Sequence, residues 1–243
     1  MPEGPSIVIL RGEIAHFAGK VIRRAEGNAK IDLQRLSGKR VKSIRSFGKQ
    51  TLIELRDVTI RIHLLMFGSY RIDERKDAAP RLSLGFDHGE LNFYGCSVRL
   101  LDDNLDDLYD WRADIMSEAW DPKLARRKLK SMPETLVCDA LLDQEVFAGV
   151  GNIIKNEVLY RIGVHPLSTV GALPPRKLGE LIRQAREYSF QFLEWKRAFV
   201  LRKHWLVHNR SRCPRHDIPL KRAHVGKTNR RSFWCELCQK LYD

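Results

Sequence analysis

Apolar side chains recur at helical spacing at the start of the chain and then in short alternating runs. Residues 4–18 carry apolar side chains every three or four positions and are followed by Gly19, which predicts a helix. From about residue 20 to 101, short runs rich in Val, Ile, Leu, Tyr and Phe alternate with turn residues. This pattern predicts an antiparallel β-sandwich or barrel after the first helix.

The pattern changes again after residue 101. Residues 102–122 are acidic and end at Asp121-Pro122, a combination typical of a domain boundary. Residues 123–200 return to helical spacing with interruptions at Pro and Gly, which predicts a helical domain. The predicted class is α+β, with an N-terminal domain over 1–111, a helical domain over 112–204 and a C-terminal module over 205–243.

The charge of the chain favours a polyanionic partner. Lys and Arg number 43 against 30 for Asp and Glu among 243 residues, which gives a formal net charge of +13. The basic residues concentrate in 196–231, which suits nucleic acid, with a merely soluble basic protein as the alternative. No apolar run is long enough to span a bilayer, and no secretory signal precedes the first helix. We therefore expect no membrane partner.

Three of the five cysteines lie in a C-terminal cluster with the spacing of a metal site. Cys213-x2-His216 is followed, after eighteen residues, by Cys235-x2-Cys238. Two pairs of this spacing on tight turns predict one tetrahedral, structural Zn²⁺. His224 and His208 are alternatives for the fourth ligand. Cysteines used for metal rather than disulfides indicate a reducing compartment, the cytoplasm of a bacterium or the nucleus of a eukaryote.

The segment between the two ligand pairs is short and basic. Its flanks have strand character, which predicts a zinc-held hairpin whose tip carries Gly226, Lys227, Arg230 and Arg231. A guanidinium at such a tip suits bidentate contact with a phosphate. A solvated basic loop is the alternative.

The chain begins MPEGP, which places Pro2 and Glu3 directly after the first methionine. If Met1 is removed, the Pro2 nitrogen becomes a secondary amine able to attack an aldehyde-like carbon and form an iminium. Glu3 then lies beside it as a proton donor. Pro and Glu are also common near N-termini, so this interpretation depends on the rest of the chain.

Two further segments suggest contact with nucleic acid. Gly149 and Gly151 precede Asn152 at a predicted helix start, where backbone N–H groups bind phosphate and Asn152 can also cap the helix. Such a turn also joins ordinary helices. Lys49 follows Gly48 at a predicted hairpin tip, where a lysine is either solvated or directed into a cleft.

The run at 63–70 is predicted as another hairpin, with Gly68 at its turn. Leu65, Met66 and Phe67 precede that turn. They fit either the core or a wedge inserted between DNA bases.

Taken together, these motifs resemble the formamidopyrimidine-DNA glycosylase and endonuclease VIII family. The marks are MPEGP, the lysine of FGKQTL, the segment from LLDQ through AGVGN, and a finger ending NRRSFWCELCQ. The resemblance runs over nearly the whole chain in the same order. It implies an N-terminal β-sandwich domain, a helix-two-turn-helix domain and a zinc finger.

The resemblance implies a bifunctional DNA glycosylase and DNA-(apurinic or apyrimidinic site) lyase of base-excision repair. Pro2 would attack C1′ of the damaged nucleoside and Glu3 would donate a proton. Lys49 would assist β-elimination and Arg230 would hold a phosphate during δ-elimination. The implied DNA contacts are Lys49, Leu65, Met66, Phe67, Arg112, Asn152 and Arg230. The implied partner is damaged DNA, bound by a monomer.

Three departures from the family pattern bear on substrate choice. The finger has a histidine at position 216, whereas bacterial members usually have four cysteines. This variant is similar to the finger of some endonuclease VIII-like proteins. YGCSVRLL lacks the DPRRFG-like element of the formamidopyrimidine branch, and residues 65–67 mix features of both branches. The chain therefore resembles the endonuclease VIII branch, for which oxidised pyrimidines are expected. The alternative is a non-catalytic module of the same fold that binds damaged or single-stranded DNA.

Overall fold

The computed structural model describes residues 2–243, which form two compact units, one ending at Tyr109 and one running from Asp110 to Asp243. The helices are α1 (Gly4–Ile14), α2 (Leu105–Leu108), α3 (Pro122–Lys130), α4 (Val137–Ala140), α5 (Asn152–Ile162) and α6 (Pro175–Arg197). The strands are β1 (Arg24–Glu26), β2 (Ser43–Phe47), β3 (Gln50–Glu54), β4 (Thr59–Ile72), β5 (Leu82–Gly85), β6 (Glu90–Leu101), β7 (Lys221–Val225) and β8 (Arg230–Trp234). The predicted α+β class is confirmed.

The N-terminal unit is built on a six-stranded antiparallel sheet with the order β1-β5-β6-β4-β3-β2. The two long strands β4 and β6 pair along most of their length. β3 extends the sheet beside the first half of β4, and β5 extends it beside the first residues of β6. The antiparallel architecture and the N-terminal helix are as predicted, with all six strands hydrogen-bonded into one sheet.

Helix α1 is held to this sheet by one apolar stripe. Ile7, Leu10 and Ile14 are fully buried, at the three- and four-residue spacing that keeps side chains on one helix face. Pro5 fits the first turn, where a missing N–H costs nothing. Each buried Ile or Leu contributes about 1.5–3 kcal/mol. This packing fixes the N-terminal end of α1, where Pro2 and Glu3 lie.

The C-terminal unit has α5 at its centre. Eight of its eleven residues are buried, including Lys155, Asn156 and Glu157. Helices α3, α4 and α6 contribute to the same core, in which Phe147, Ile154 and further apolar side chains are buried. A helix buried nearly all round must satisfy its polar side chains internally. Those partners come from the backbone of residues 206–208 and from the C-terminal hairpin.

β7 and β8 form a two-stranded hairpin over a small core of its own. Tyr160 of α5 packs there with Val207, Leu220 and Phe233. Among residues 2–243, no helix is both long enough and apolar enough to cross a membrane.

Candidate functional site

Pro2 and Glu3 lie at the N-terminal end of α1. Glu3 caps the helix, and its carbonyl oxygen accepts from the N–H groups of Ser6 at 2.8 Å and Ile7 at 3.3 Å. The Glu3 side chain is fully buried, whereas Pro2 is half-buried. A carboxyl shielded from water beside Pro2 is suited to local proton transfer. The helix N-terminus also stabilises negative charge at this position.

Lys49 lies in the tight turn between β2 and β3. Gly48 has a φ of 53°, in the left-handed region, and Phe47 pairs directly with Gln50 across the turn. The Tyr109 hydroxyl donates to Oε1 of Gln50 at 2.7 Å, and its ring lies 4.6 Å from that of Phe47. Tyr109 therefore fixes the turn, and α1 packs against both of the strands that the turn joins.

Lys49 also acts on its neighbour His63 on β4, which is paired with Gln50. Burial, followed by the positive charges of Lys49 and Arg61, lowers the pKa of His63. The ring therefore favours its neutral form beside these two cations.

Leu65, Met66 and Phe67 lie in a bulge of β4 and not in the predicted hairpin. Leu64 pairs with Cys96 and Ser69 with Tyr94, so four residues of β4 oppose one residue of β6. A Cβ on Gly68 would lie 2.8 Å from the carbonyl oxygen of Gly95, which explains the glycine at this close approach. A bulge of this kind directs side chains away from the ladder.

The bulge leaves its three apolar side chains in solvent. Leu65 is 49% exposed, Met66 55% and Phe67 89%. The alternative that they belong to the core is therefore wrong. Three adjacent exposed apolar side chains indicate an interaction surface.

Arg112 and Asn152 lie in the C-terminal unit. Arg112 is exposed, and its guanidinium donates to both carboxylate oxygens of Asp110, at 2.8 and 3.2 Å. Asn152 begins α5 as predicted, but Gly151 is the N-cap and no side chain caps the helix. The Asn152 amide instead donates to the carbonyl oxygen of Arg231 at 3.0 Å, so the capping role is wrong.

The tip of the β7–β8 hairpin is held by Asp139 of α4. The carboxylate accepts from the N–H of Lys227 at 2.8 Å, the N–H of Thr228 at 3.1 Å and the Thr228 hydroxyl at 2.7 Å. Gly226 has a φ of 72°, and a Cβ there would lie 2.3 Å from an Asp139 carboxylate oxygen. Arg230 follows this fixed turn as the first residue of β8.

The start of β8 is held by polar side chains of α5. The carbonyl oxygen of Arg231 accepts from Asn152, from the Lys155 ammonium at 3.2 Å and from Asn156 at 3.3 Å. Lys155 also donates to the Ser232 hydroxyl at 2.8 Å. These contacts explain how a fully buried lysine is tolerated.

Glu157 fixes the segment that leads into the finger. Its carboxylate accepts from the N–H groups of Leu206, Val207 and His208, at 2.8–3.0 Å. Burial raises the pKa of Glu157, while these three donors oppose the rise. Burial, followed by the charge of Lys155, lowers the pKa of His208 to about 4.

Cys213, His216, Cys235 and Cys238 converge, with their ligand atoms within 4.8 Å of one another. Nδ1 of His216 lies 3.3 Å from Sγ of Cys238, 3.8 Å from Cys235 and 3.9 Å from Cys213. Tetrahedral zinc with Zn–S near 2.3 Å and Zn–N near 2.0 Å requires S···S edges of about 3.8 Å and S···N edges of about 3.6 Å. Cys213 and Cys238, 3.6 Å apart, match the sulfur edge. The cluster therefore fits a metal ion of this kind.

Of the three candidate histidines, His216 is the one that joins the cysteines. Nδ1 of His224 instead lies 2.9 Å from the carbonyl oxygen of Asn229, and His208 contacts Asn156. Burial raises the pKa of Cys213, but hydrogen bonds from the Tyr160 hydroxyl and from backbone N–H groups outweigh it and lower this pKa. These donors favour the thiolate, which is the form that binds metal.

Two family models match the two units. The formamidopyrimidine-DNA glycosylase N-terminal domain matches residues 1–103, and the formamidopyrimidine-DNA glycosylase H2TH domain matches residues 113–193. The chain belongs to the formamidopyrimidine-DNA glycosylase and endonuclease VIII family. Its curated relatives carry endonuclease 8 and Nei2 names, which puts it with the endonuclease VIII-like branch.

Two relatives and one solved structure illustrate the likeness. The chain is 28% identical over 258 residues to the DNA-(apurinic or apyrimidinic site) lyase Nei2 of Mycolicibacterium smegmatis, covering 98% of this chain and 99% of that protein. It is 30% identical over 207 residues to Endonuclease 8-like 3 of Mus musculus, covering 81% of this chain and 34% of that protein. The Lactococcus lactis formamidopyrimidine-DNA glycosylase bound to DNA with an AP site has the same fold, with a TM-score of 0.86, 23% identity, and coverage of 98% of this chain and 99% of that chain.

The chain spans 34–39% of the length of the Endonuclease 8-like 3 proteins that it matches.

The sequence motifs identified the four residues of the Cys and His cluster and the three bulge residues, but not Asp139, Lys155, Asn156 or Glu157. The signal available for the last three was a polar triplet inside an otherwise apolar helix. No comparable feature of the local sequence distinguishes Asp139.

Proposed function

We propose that this protein is a bifunctional DNA glycosylase and AP lyase that excises oxidised bases, with pyrimidines preferred. The observation that carries the proposal is Pro2 beside the buried Glu3 at the start of α1, in a chain of this family. A secondary amine and a shielded acid are the two groups that the chemistry requires. The form we propose to be active begins at Pro2, because a nitrogen acylated by Met1 is a tertiary amide and cannot attack.

The first step forms a covalent bond to the sugar. The lone pair of the Pro2 nitrogen attacks C1′, and the glycosidic bond breaks with its electron pair leaving on the base, which takes up a proton. The Pro2 nitrogen then loses its own proton. Glu3 donates a proton to O4′ as the sugar ring opens, which leaves an iminium between Pro2 and C1′.

The iminium makes strand cleavage possible. Loss of a proton from C2′ expels the 3′ phosphate, and a second loss from C4′ expels the 5′ phosphate. We assign Lys49 to the first elimination and Arg230 to the second, in which its guanidinium holds the phosphate. Lys49 lies in a fixed turn and Arg230 directly follows one, which supports this assignment, since a charge must be held in place to stabilise a leaving group.

Damaged DNA is the proposed partner, bound by a monomer. Leu65, Met66 and Phe67 would enter the stack when the damaged base leaves it, which their exposure supports. Arg112 and Asn152 are proposed to contact the phosphate backbone. The Cys213, His216, Cys235 and Cys238 cluster would hold one zinc ion, which supplies a structural cross-link for the hairpin.

Borohydride trapping tests the proposal. Protein checked by intact mass for loss of Met1 is incubated with an abasic-site duplex, reduced, and digested to map the modified residue. We expect a stable adduct on the Pro2 nitrogen, no adduct with the form that retains Met1, and an adduct still formed by Lys49→Ala. Duplexes with thymine glycol, dihydrouracil or 8-oxoguanine then give the order of base release, with the pyrimidine lesions first.

Three outcomes contradict the proposal. An adduct that maps to a lysine would mean that this lysine, and not Pro2, is the nucleophile. No adduct, with tight binding to the abasic duplex retained, makes the protein a binding module without lyase activity. Retention of Met1 in an active preparation contradicts the role of Pro2 directly.

A further inference from the structure

A groove between α3 and α6 lies apart from every residue assigned above. It has a volume of about 800 Å³ and is lined by residues of the C-terminal unit alone. Trp120, Ile182 and Phe190 supply its apolar side chains. Its wall on α6 runs from Gly179 to Phe190, about 16 Å at 1.5 Å per residue. The groove is therefore long enough for about three turns of a helix.

Part of the apolar floor of the groove remains exposed once the core is formed. Ile182 is buried in the main cluster together with Leu181, Tyr188 and Phe192 of the same helix, whereas Phe190 is 38% exposed. Trp120 is partly buried, and its ring lies 5.8 Å from that of Phe147. Apolar side chains that remain in a concave surface after the core is complete indicate a binding site.

The rim of the groove is cationic. Lys123 and Arg126 line it from α3, and Arg183 and Arg186 line it from α6. Glu187, the acidic residue of the lining, is paired with Arg183 at 2.8 Å. A positive rim around an apolar floor selects a partner that is acidic and carries bulky apolar side chains.

One of these cations, Arg186, is held in position. Nη1 of Arg186 donates to the carbonyl oxygens of Ile115 at 3.1 Å and Ser117 at 3.0 Å, and its guanidinium lies 5.1 Å from the centre of the Phe190 ring. Preordered arginines and aromatic side chains lose little entropy on binding, and both are enriched at binding hot spots.

We propose that this groove binds an acidic amphipathic helix of a partner protein. The helix would place its apolar side chains against Trp120 and Phe190 and its carboxylates against the four cations. DNA is a poorer fit, because cations bind its phosphate backbone and that backbone offers no apolar groups to contact the floor of the groove. The proposal is independent of the glycosylase activity.

Fluorescence anisotropy with a designed probe tests it. The probe is a fluorescein-labelled peptide of about three helical turns, with Leu and Trp on one face and Glu and Asp on the other. A peptide of the same composition in an order without an apolar face is the charge control. We expect saturable binding of the first peptide to the full chain and at least about tenfold weaker binding of the second.

Matched variants locate the binding site. Phe190→Ser is compared with Leu167→Ser, since both side chains are 38% exposed and Leu167 lies outside the groove. Arg126→Gln is compared with Arg176→Gln, whose side chain is 90% exposed on the same helix as Phe190. The groove variants should weaken binding, Phe190→Ser by about tenfold or more and Arg126→Gln by about threefold. The control variants should leave binding unchanged.

Three results overturn the proposal. The first is the absence of saturable binding, and the second is equal binding of the reordered peptide, which would reflect charge alone. The third is a short DNA duplex whose binding is weakened by Phe190→Ser as strongly as that of the peptide, because the groove would then be a nucleic-acid site. Thermal unfolding of each variant establishes that a loss of binding is not a loss of fold.

Discussion

Replacing Asp139 by Asn tests whether one carboxylate fixes the hairpin tip. Asp139 is 8% exposed and accepts three hydrogen bonds, two from Thr228 and one from the N–H of Lys227. Asn has almost the same shape, but it keeps one acceptor oxygen and turns an NH₂ group toward a backbone N–H. The substitution therefore removes at least one bond and the negative charge that strengthens the others.

The expected cost follows from these three contacts. Hydrogen bonds to a charged group contribute about 1.5–3 kcal/mol each, and a buried donor left without a partner costs a similar amount. Losing one bond and weakening two gives a destabilisation of about 3 kcal/mol. Asp121→Asn is the matched control, because Asp121 caps α3 and Asn is an equally good N-cap. Its cost should stay within about 0.5 kcal/mol.

Tryptophan fluorescence during urea unfolding measures this cost in the C-terminal unit, to which Asp139 belongs. All five tryptophans lie between residues 111 and 234, so the signal reports the C-terminal unit. A double-mutant cycle with Thr228→Val isolates the contact between the two side chains, for which we expect a coupling of about 1–2 kcal/mol. If Arg230 acts in δ-elimination as proposed, the ratio of δ to β products should also fall in Asp139→Asn.

The Asp139 carboxylate does not hold the tip if Asp139→Asn costs no more than Asp121→Asn, or if the cycle gives a coupling close to zero. A lower stability with an unchanged product ratio would keep the anchor but reject its link to Arg230.

Four further predictions concern other parts of the chain. Gly226→Ala should destabilise the C-terminal unit as strongly as Asp139→Asn in the same urea assay, because its Cβ would meet the Asp139 carboxylate in a left-handed turn. Phe67→Ser should change the free energy of unfolding by less than about 0.5 kcal/mol, since the side chain is 89% exposed, yet reduce excision from a lesion duplex. Elemental analysis should find one zinc per chain, and Cys235→Ser should lower both the zinc content and the melting temperature. The pKa of His208 is lowered to about 4, so below pH 6.5 the unfolded chain takes up a proton that the folded chain does not. Stability should fall by about 3 kcal/mol as the pH drops from 6.5 to 4, and His208→Gln should reduce that slope in urea titrations at each pH.

Elements with a strong local period could be predicted from the sequence. The apolar stripe of Ile7, Leu10 and Ile14 fixes α1, and the turn at Gly48 joins β2 to β3. Both depend on residues close in the chain. The long pattern after Pro174-Pro175 likewise predicts α6, whose observed range is Pro175–Arg197.

The segment at 63–70 shows where local reasoning fails. An apolar run followed by Gly68 fits a hairpin turn, but β4 continues through it because β6 supplies a partner on both sides of the bulge. The close approach of Gly95, which makes a glycine necessary at 68, depends on a strand that the local sequence does not contain.

Residues of the candidate site could be predicted where their spacing along the sequence is enough to define the site. The x2 pairs identified the four residues that converge in the candidate metal site, and the fold selected His216 among three histidines. Asn152 was assigned to a cap because capping is a local interaction, whereas its amide reaches a carbonyl 79 positions away. Lys155 and Asp139 make similar distant contacts, which no local pattern reveals.

The hairpin is anchored through its main chain. Three side chains of α5 donate to the carbonyl oxygen of Arg231, and two of the three donors to Asp139 are peptide N–H groups. Any L-residue other than proline at 227 or 231 presents the same peptide groups, so the side chains there are uncoupled from folding. The tip can therefore exchange its surface residues over evolution, or in a designed library, and acquire new contacts on an unchanged scaffold.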